Sequence, residues 1–272
     1  MTPALTPEQT TMAARQLADA EHSRQQCRQF SLQYPAMNLL DAYRIQSAWV
    51  EQQCAAGRKV KGHKIGLTSK AMRRAVGIDE PDYGVLLDSM FYEDGARIPT
   101  ERFIELKIEA ELAFVLRKPL AGPACTLFDV LDATAYITPA LELLDARIQR
   151  RDGETGRMRG VLDTISDNAA NAAIILGGRP FKPDAFAADV RRIGAIVSKN
   201  GEVEETGLAA GVLNHPANGV AWLANRLHRH GVTLEPGQVI LAGSFIRPVD
   251  VAKGDTIVAD YGEFGTVACH FA

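Results

Sequence analysis

Three glutamates carry the chemistry that this chain offers most clearly. Glu109 and Glu111 stand two residues apart, and Glu142 follows further along. The run from Ile104 to Leu116 alternates. Ile104, Leu106, Ile108, Ala110, Leu112, Phe114 and Leu116 fall on one side; Glu105, Lys107, Glu109, Glu111, Ala113 and Val115 fall on the other. That is the period of a β-strand. Residues two apart on a strand lie roughly 6.6 Å from each other on one face. Two such carboxylates can lean onto one cation, at about 2.1 Å from each oxygen. The plain alternative is a solvated strand face, because glutamates are normally exposed. Glu142 shifts that balance. It lies in Thr138-Pro139-Ala140-Leu141-Glu142-Leu143-Leu144, an apolar run with no basic neighbour until Arg147. An ionised carboxylate in such surroundings is costly unless it is paired or metal-bound. Glu142 therefore either pairs with Arg147 or completes a three-carboxylate site. Hard oxygen ligands with no clustered Cys or His suit Mg²⁺ or Mn²⁺ better than Zn²⁺.

A second cluster is Lys61-Gly62-His63-Lys64-Ile65-Gly66-Leu67-Thr68-Ser69-Lys70. Glycines on both sides of Lys64 let the backbone pass close to a ligand. A lysine in a partly desolvated site can act as a general base or steady a developing anion. Asp82, in Glu80-Pro81-Asp82-Tyr83-Gly84, is a candidate partner that sets the charge and orientation of that lysine. The ordinary readings are a basic surface turn and an acidic one.

These groups must be held by a helical start and a strand-rich remainder. Thr6-Pro7-Glu8-Gln9 reads as a helix start, with Thr6 as cap, Pro7 at the first position and Gln9 closing a capping box. A second helix is expected from about Asn38 to Ala56, ended by Gly57. Beyond it, Asn200-Gly201 marks a hairpin. Val220, Leu223, Ala224 and Leu227 mark one later helix. Gln238 to Phe245 reads as a strand ending near Arg247. The expected division is a helical N-terminal region, 1–62, and a metal-binding, catalytic, β-rich core, 63–272, in an α+β chain.

Bulk properties narrow the partners. The 272 residues carry a net charge of −3 with both signs interspersed, so neither nucleic acid nor an anionic membrane is expected as a partner. Apolar residues make up 46% of the chain, enough for a substantial core. No apolar run has the length of a membrane span, and no signal peptide is evident. Cys27, Cys54, Cys125 and Cys269 form no CxxC pair, as suits free thiols in the cytoplasm.

The runs GHKIGLTSKAM, EPDYGVLLDSMF, RFIELKIEAELAFVL, ITPALELLDAR, DTISDNAANA, GVLNHPANGVAWLANRL and GSFIRPV occur in that order. Together, from about residue 35 to the end, they resemble the fumarylacetoacetate hydrolase superfamily, in its hydratase and decarboxylase branch. The resemblance implies helices followed by a mixed β-sheet roll or sandwich. It places the metal carboxylates on Glu109, Glu111 and Glu142, and the proton-transfer groups on Lys64 and Asp82. Asp167 and Asn168 would border the substrate pocket. The implied reaction is addition of water to 2-oxohept-4-ene-1,7-dioate through its 2-hydroxydienoate tautomer. The product would be 4-hydroxy-2-oxoheptanedioate, in homoprotocatechuate meta-cleavage catabolism. Mg²⁺ or Mn²⁺ would act as Lewis acid on the 2-oxo acid. Arg247, with Ser244 beside it, is a candidate for holding the remote carboxylate of a seven-carbon diacid. A homodecamer is implied by resemblance. Other readings are a 2-oxo-3-enedioate decarboxylase, an acylpyruvate-type hydrolase, or a metal-dependent binding protein without turnover.

Overall fold

The computed structural model describes residues 2–184 and 189–272. Its first helix, Pro7–Ser23, starts on the expected capping box: Thr6 Oγ1 accepts from Gln9 N–H, and Gln9 Oε1 accepts from Thr6 N–H. The helix Leu39–Ala55 starts likewise on Asn38 and Asp41. The buried Asp41 carboxylate also accepts from the N–H groups of Ala4 and Leu5, tying the start of the chain to this helix. From the same helix, Gln46 donates to the carbonyls of Tyr83 and Ile165 and fixes the helix to the layer beneath.

That layer is built from short strands. In chain order they are β1 Val60–Gly66, β2 Asp82–Leu87, β3 Phe91–Tyr92, β4 Ala96–Ile98, β5 Lys107–Leu116, β6 Thr134–Leu144 and β7 Asn171–Leu176. There follow β8 Gly194–Lys199, β9 Glu202–Leu208, β10 Val239–Leu241, β11 Val249–Asp250, β12 Thr256–Asp260 and β13 Thr266–Phe271. One mixed sheet runs β2-β1-β10-β5-β6-β7-β3, with β11 also on β5; the other runs β4-β13-β12-β8-β9. The fold is α+β.

β5 is the central strand. β10 and β11 pair with one edge and β6 with the other, all antiparallel. Ile108, Ala110, Leu112 and Phe114 bury their alternate face to 1% exposure or less, as the period of two requires. The strand begins at Lys107 rather than Ile104, because the Ile104 and Glu105 amides donate to the Asp145 carboxylate instead of a neighbouring strand. The expected strand over residues 238–245 is shorter too. β10 ends at Leu241, and beyond it the Gly243 amide turns to Glu111 Oε2 at 2.9 Å. The Asn200-Gly201 turn joins β8 to β9 as read. The helix Pro216–His228 buries Val220, Leu223, Ala224 and Leu227. Among the described residues no helix is long and apolar enough to cross a membrane.

One local conformation stands out. Asn168, Ala169 and Ala170 all have left-handed backbones, with φ of 51°, 51° and 59°. Each such L-residue costs roughly 1–2 kcal/mol, so the surroundings must hold the turn in place. Asn168 Oδ1 accepts from Val85 N–H at 2.8 Å and its Nδ2 donates to Val85 O at 2.9 Å. The buried Arg147 guanidinium donates to the carbonyls of Asp167 and Asn171 and pairs with the Asp167 carboxylate. Its other face lies 5.0 Å from the Trp49 ring centroid. Gly84 permits this close approach, since a Cβ there would overlap the Asn168 carbonyl oxygen. Gly84→Ala is therefore expected to lower stability by about 1–3 kcal/mol, read as a lower urea midpoint with an unchanged slope.

Candidate metal centre

β5 and β6 pair with Glu109 directly opposite Glu142. Opposed side chains on antiparallel strands have Cβ atoms about 4.5–5.5 Å apart, and like charges there repel. Glu111 lies two residues along the same face. The three side chains converge: one carboxylate oxygen from each of Glu109, Glu111 and Glu142 lies within 4.8 Å of the others. Glu111 and Glu142 are 1% and 0% exposed, while Glu109 is half-buried.

The protein occupies one oxygen of each inner carboxylate and leaves the second open. Glu111 Oε2 accepts from the Gly243 amide. Glu142 Oε1 accepts from Asn171 Nδ2 at 2.8 Å and lies 3.2 Å from Lys64 Nζ. Glu111 Oε1 and Glu142 Oε2 are buried with no hydrogen-bond partner among the described residues. Tyr261 braces the strands at this point. Its hydroxyl donates to Ala140 O at 2.7 Å and accepts from Glu111 N–H at 3.2 Å, bridging a register pair.

Lys64 reaches the site from β1, beside Asp82 on β2, where Gly66 opposes Asp82. Gly66 leaves room for both groups: a Cβ would overlap Asp82 Oδ1 and displace that carboxylate, and would lie 3.4 Å from Lys64 Nζ. Burial disfavours the Lys64 ammonium, but Glu142, Asp82, Glu109 and Glu111 outweigh it and hold its pKa above the ordinary lysine value. Burial raises Asp82 to about 6, against the pull of Lys64. Burial, then repulsion from Glu142, raises Glu109 to about 8. The same causes, with Glu109 added, push Glu111 well above the carboxylate range. Four acids thus surround one lysine, three of them, Asp82, Glu111 and Glu142, with orphaned buried oxygens. A hard divalent cation fits this donor set and would supply the missing charge.

A cavity of about 400 Å³ opens onto Glu109. Gly66, Thr68, Ser244, Phe245 and Arg247 also line it. A second cavity, of about 600 Å³, lies between β8, β9 and the segment Asp260–Phe264, and shares no residue with the acid cluster.

Residues 54–272 match the family described as Fumarylacetoacetate (FAA) hydrolase C-terminal. The chain belongs to the fumarylacetoacetate hydrolase family. Within that family it is 60% identical to the 2-oxo-hept-4-ene-1,7-dioate hydratase of Escherichia coli, over 96% of this chain and 97% of that protein. It is 36% identical to the 2-keto-4-pentenoate hydratase of Paraburkholderia xenovorans (strain LB400), over 98% and 96%. It resembles the structure of 4-oxalocrotonate decarboxylase from Pseudomonas putida G7, complexed with magnesium and adipate, with a TM-score of 0.93, 35% identity and full coverage of both chains.

The structure gathers Lys64, Asp82, Glu109, Glu111 and Glu142 into one site of this family member. It puts the cation beside Glu142 on Lys64, not on Arg147, which pairs with Asp167 instead. Asp167 is fully buried, bound by Arg147 and Arg159, and Asn168 is spent on Val85; neither lines the cavity. Ser244 Oγ accepts from Ile246 N–H and donates to Ile246 O, so it shapes its own loop. Arg247 is 82% exposed at the cavity rim and pairs with Glu205 at 2.6 Å. Sequence reasoning missed Asn171, Tyr261 and the Gly243 amide. Asn171 had one visible signal, as a polar residue between alanines in DTISDNAANA; the other two belong to segments that reach the site only through the fold.

Glu142→Gln is expected to abolish high-affinity Mg²⁺ or Mn²⁺ uptake by calorimetry. A pH effect follows as well. Without metal, Glu109 and Glu111 have folded pKa values above the unfolded value of 4.5. The folded chain then holds extra protons, and their stabilisation is lost as pH rises through about 8 for Glu109. In chelator, Tm is expected to fall across that range; saturating divalent metal is expected to flatten the fall.

Proposed function

We propose that the chain is a divalent-metal-dependent hydro-lyase that adds water to 2-oxohept-4-ene-1,7-dioate, giving 4-hydroxy-2-oxoheptanedioate. The observation that carries this reading is the convergence of Glu109, Glu111 and Glu142 at a cavity whose rim holds Arg247. The 60% identity to a hydratase named for that substrate supports the choice of substrate.

Glu109, Glu111 and Glu142 would hold a divalent cation, Mg²⁺ or Mn²⁺ on the hardness of three carboxylate ligands, which would supply Lewis acidity to a 2-oxo acid and so acidify its adjacent carbon. The chain's own groups divide the remaining work. Lys64 stays an ammonium beside Glu142 and holds charge. Asp82, with a pKa near 6 and an unpartnered Oδ1, is the group to carry a proton near neutral pH. Moving a proton from C3 to C5 brings the double bond into conjugation with the C2 ketone. Water then adds at C4, and a proton returns to C3. Arg247 is the group to receive the C7 carboxylate, in competition with Glu205.

One observation favours a second reading, loss of CO₂ from a 2-oxo-3-enedioate: the fold superposes closely on that of the decarboxylase. A homo-oligomer, as large as a decamer, completes the proposal. It is supported by Ile196, Leu208 and Val258, which are 48%, 55% and 36% exposed on the five-stranded sheet. The four free thiols suit a cytoplasmic setting.

Incubation with Mg²⁺ and the dienoate is expected to yield a product heavier by one water. Loss of CO₂ would favour the second reading, and two fragments would indicate hydrolysis. Lys64→Ala and Asp82→Asn are each expected to lower kcat by about 10²–10⁴-fold while metal affinity falls far less. Arg247→Met is expected to lower kcat/KM for the seven-carbon diacid selectively; an equal loss on a five-carbon monoacid dienoate would remove Arg247 from substrate recognition.

A further inference from the structure

We propose that Asn171 is a positioning residue for the metal centre, and that the left-handed turn at residues 168–170 serves to deliver it. The inference rests on the metal reading above and adds a residue to it.

Asn171 is wholly buried at the start of β7. Its Nδ2 donates to Glu142 Oε1 at 2.8 Å. The amide orientation is set by chemistry, because the flipped form would bring Oδ1 against a carboxylate oxygen. Lys64 Nζ lies 3.2 Å from the same Oε1. Two donors on one oxygen fix the torsion of the carboxylate and reserve Oε1 for the protein. Oε2 is then the oxygen left to a cation, and it is the one without a partner. Lys64 alone cannot set this geometry. An ammonium on a four-carbon stem follows a carboxylate as it rotates, whereas the Asn171 side chain is short and its backbone is pinned.

That pinning accounts for the turn. Asn171 follows three consecutive left-handed residues. The turn is clamped on one side by Asn168 on both polar groups of Val85, in the strand next to Lys64. On the other side, Arg147 Nη2 donates to Asn171 O at 3.0 Å and to Asp167 O at 2.9 Å. Arg147 in turn is held by the Asp167 carboxylate. A strained, doubly clamped turn that ends in one hydrogen bond to a metal ligand is an arrangement for orienting that ligand.

The test uses the full chain stripped with chelator, and Mn²⁺ alone as probe. Asn171→Leu keeps bulk and Asn171→Ala removes it; both delete the donor. Mn²⁺ affinity is read by calorimetry, and the fold by cooperative unfolding in chelator. Both variants are expected to unfold cooperatively and to bind Mn²⁺ about 10–100-fold more weakly than the parent. A role in packing alone would move the unfolding midpoint and leave the affinity of the folded protein intact. Parental affinity in either folded variant overturns the proposal, and if Asn171→Leu does not fold, Asn171→Ala decides. A parent protein that takes up no Mn²⁺ overturns the metal centre itself, which separates the two failures.

Discussion

The structure is organised around a repulsion. Antiparallel pairing sets Glu109 directly across from Glu142, with Glu111 on the same face and little water in reach of the inner two. Such a cluster is costly to bury without compensating charge. Lys64 supplies one positive charge and is held protonated by the acids around it. The rest of the demand is met by protons or by a cation, and which of them is bound changes both stability and chemistry. The central place of β5, paired along both edges, keeps the carboxylates from relaxing apart.

Around that pair the protein takes hydrogen bonds from elements distant in sequence. The Gly243 amide comes from the segment after β10, the Tyr261 hydroxyl from the turn after β12, and Asn171 from the start of β7. The two amides each hold one carboxylate oxygen and leave the other open, and the hydroxyl braces the backbone pair Glu111 and Ala140. The buried pair of Arg147 and Asp167 does its work one step further back, by fixing the backbone from which Asn171 projects. Removing one partner of such a pair typically costs about 3–5 kcal/mol, because the other charge is left buried. Asp167 therefore matters to the site without touching it.

Much of this was legible in the sequence, and unevenly so. The capping box at Thr6, the helix from Asn38, the Asn200-Gly201 hairpin and the alternating face of β5 are local, and local chemistry determines them. The acid triad was legible because a two-residue spacing maps onto one strand face, and because Glu142 sat in an apolar run without a nearby partner. Its true ionic partner was not legible. Arg147 is near in sequence, but Lys64 is near in space, because β1 joins the sheet through β10. The commitment of the Asp167 and Asn168 side chains to Arg147 and Val85 was not legible either, because those partners come from other elements of the fold. The end of β10 was overrun because nothing in Gly243-Ser244-Phe245 shows that its first amide is drawn to a carboxylate.

The cavity has a floor and a rim of different construction. The floor, at Glu109, belongs to β5, a strand laddered by backbone hydrogen bonds to β6, in which one altered residue disturbs its neighbours on both strands. The rim, at Arg247 and Glu205, is an exposed arginine on a loop facing a residue of β9, an edge strand of the other sheet. The two thus differ in construction and meet through the Gly243 amide on Glu111. Evolution can rewrite which tail the cavity accepts, by changes at the rim, while the chemistry at the floor is inherited intact. A scaffold divided in this way is suited to give rise to enzymes that share a first step and differ in what they carry behind it.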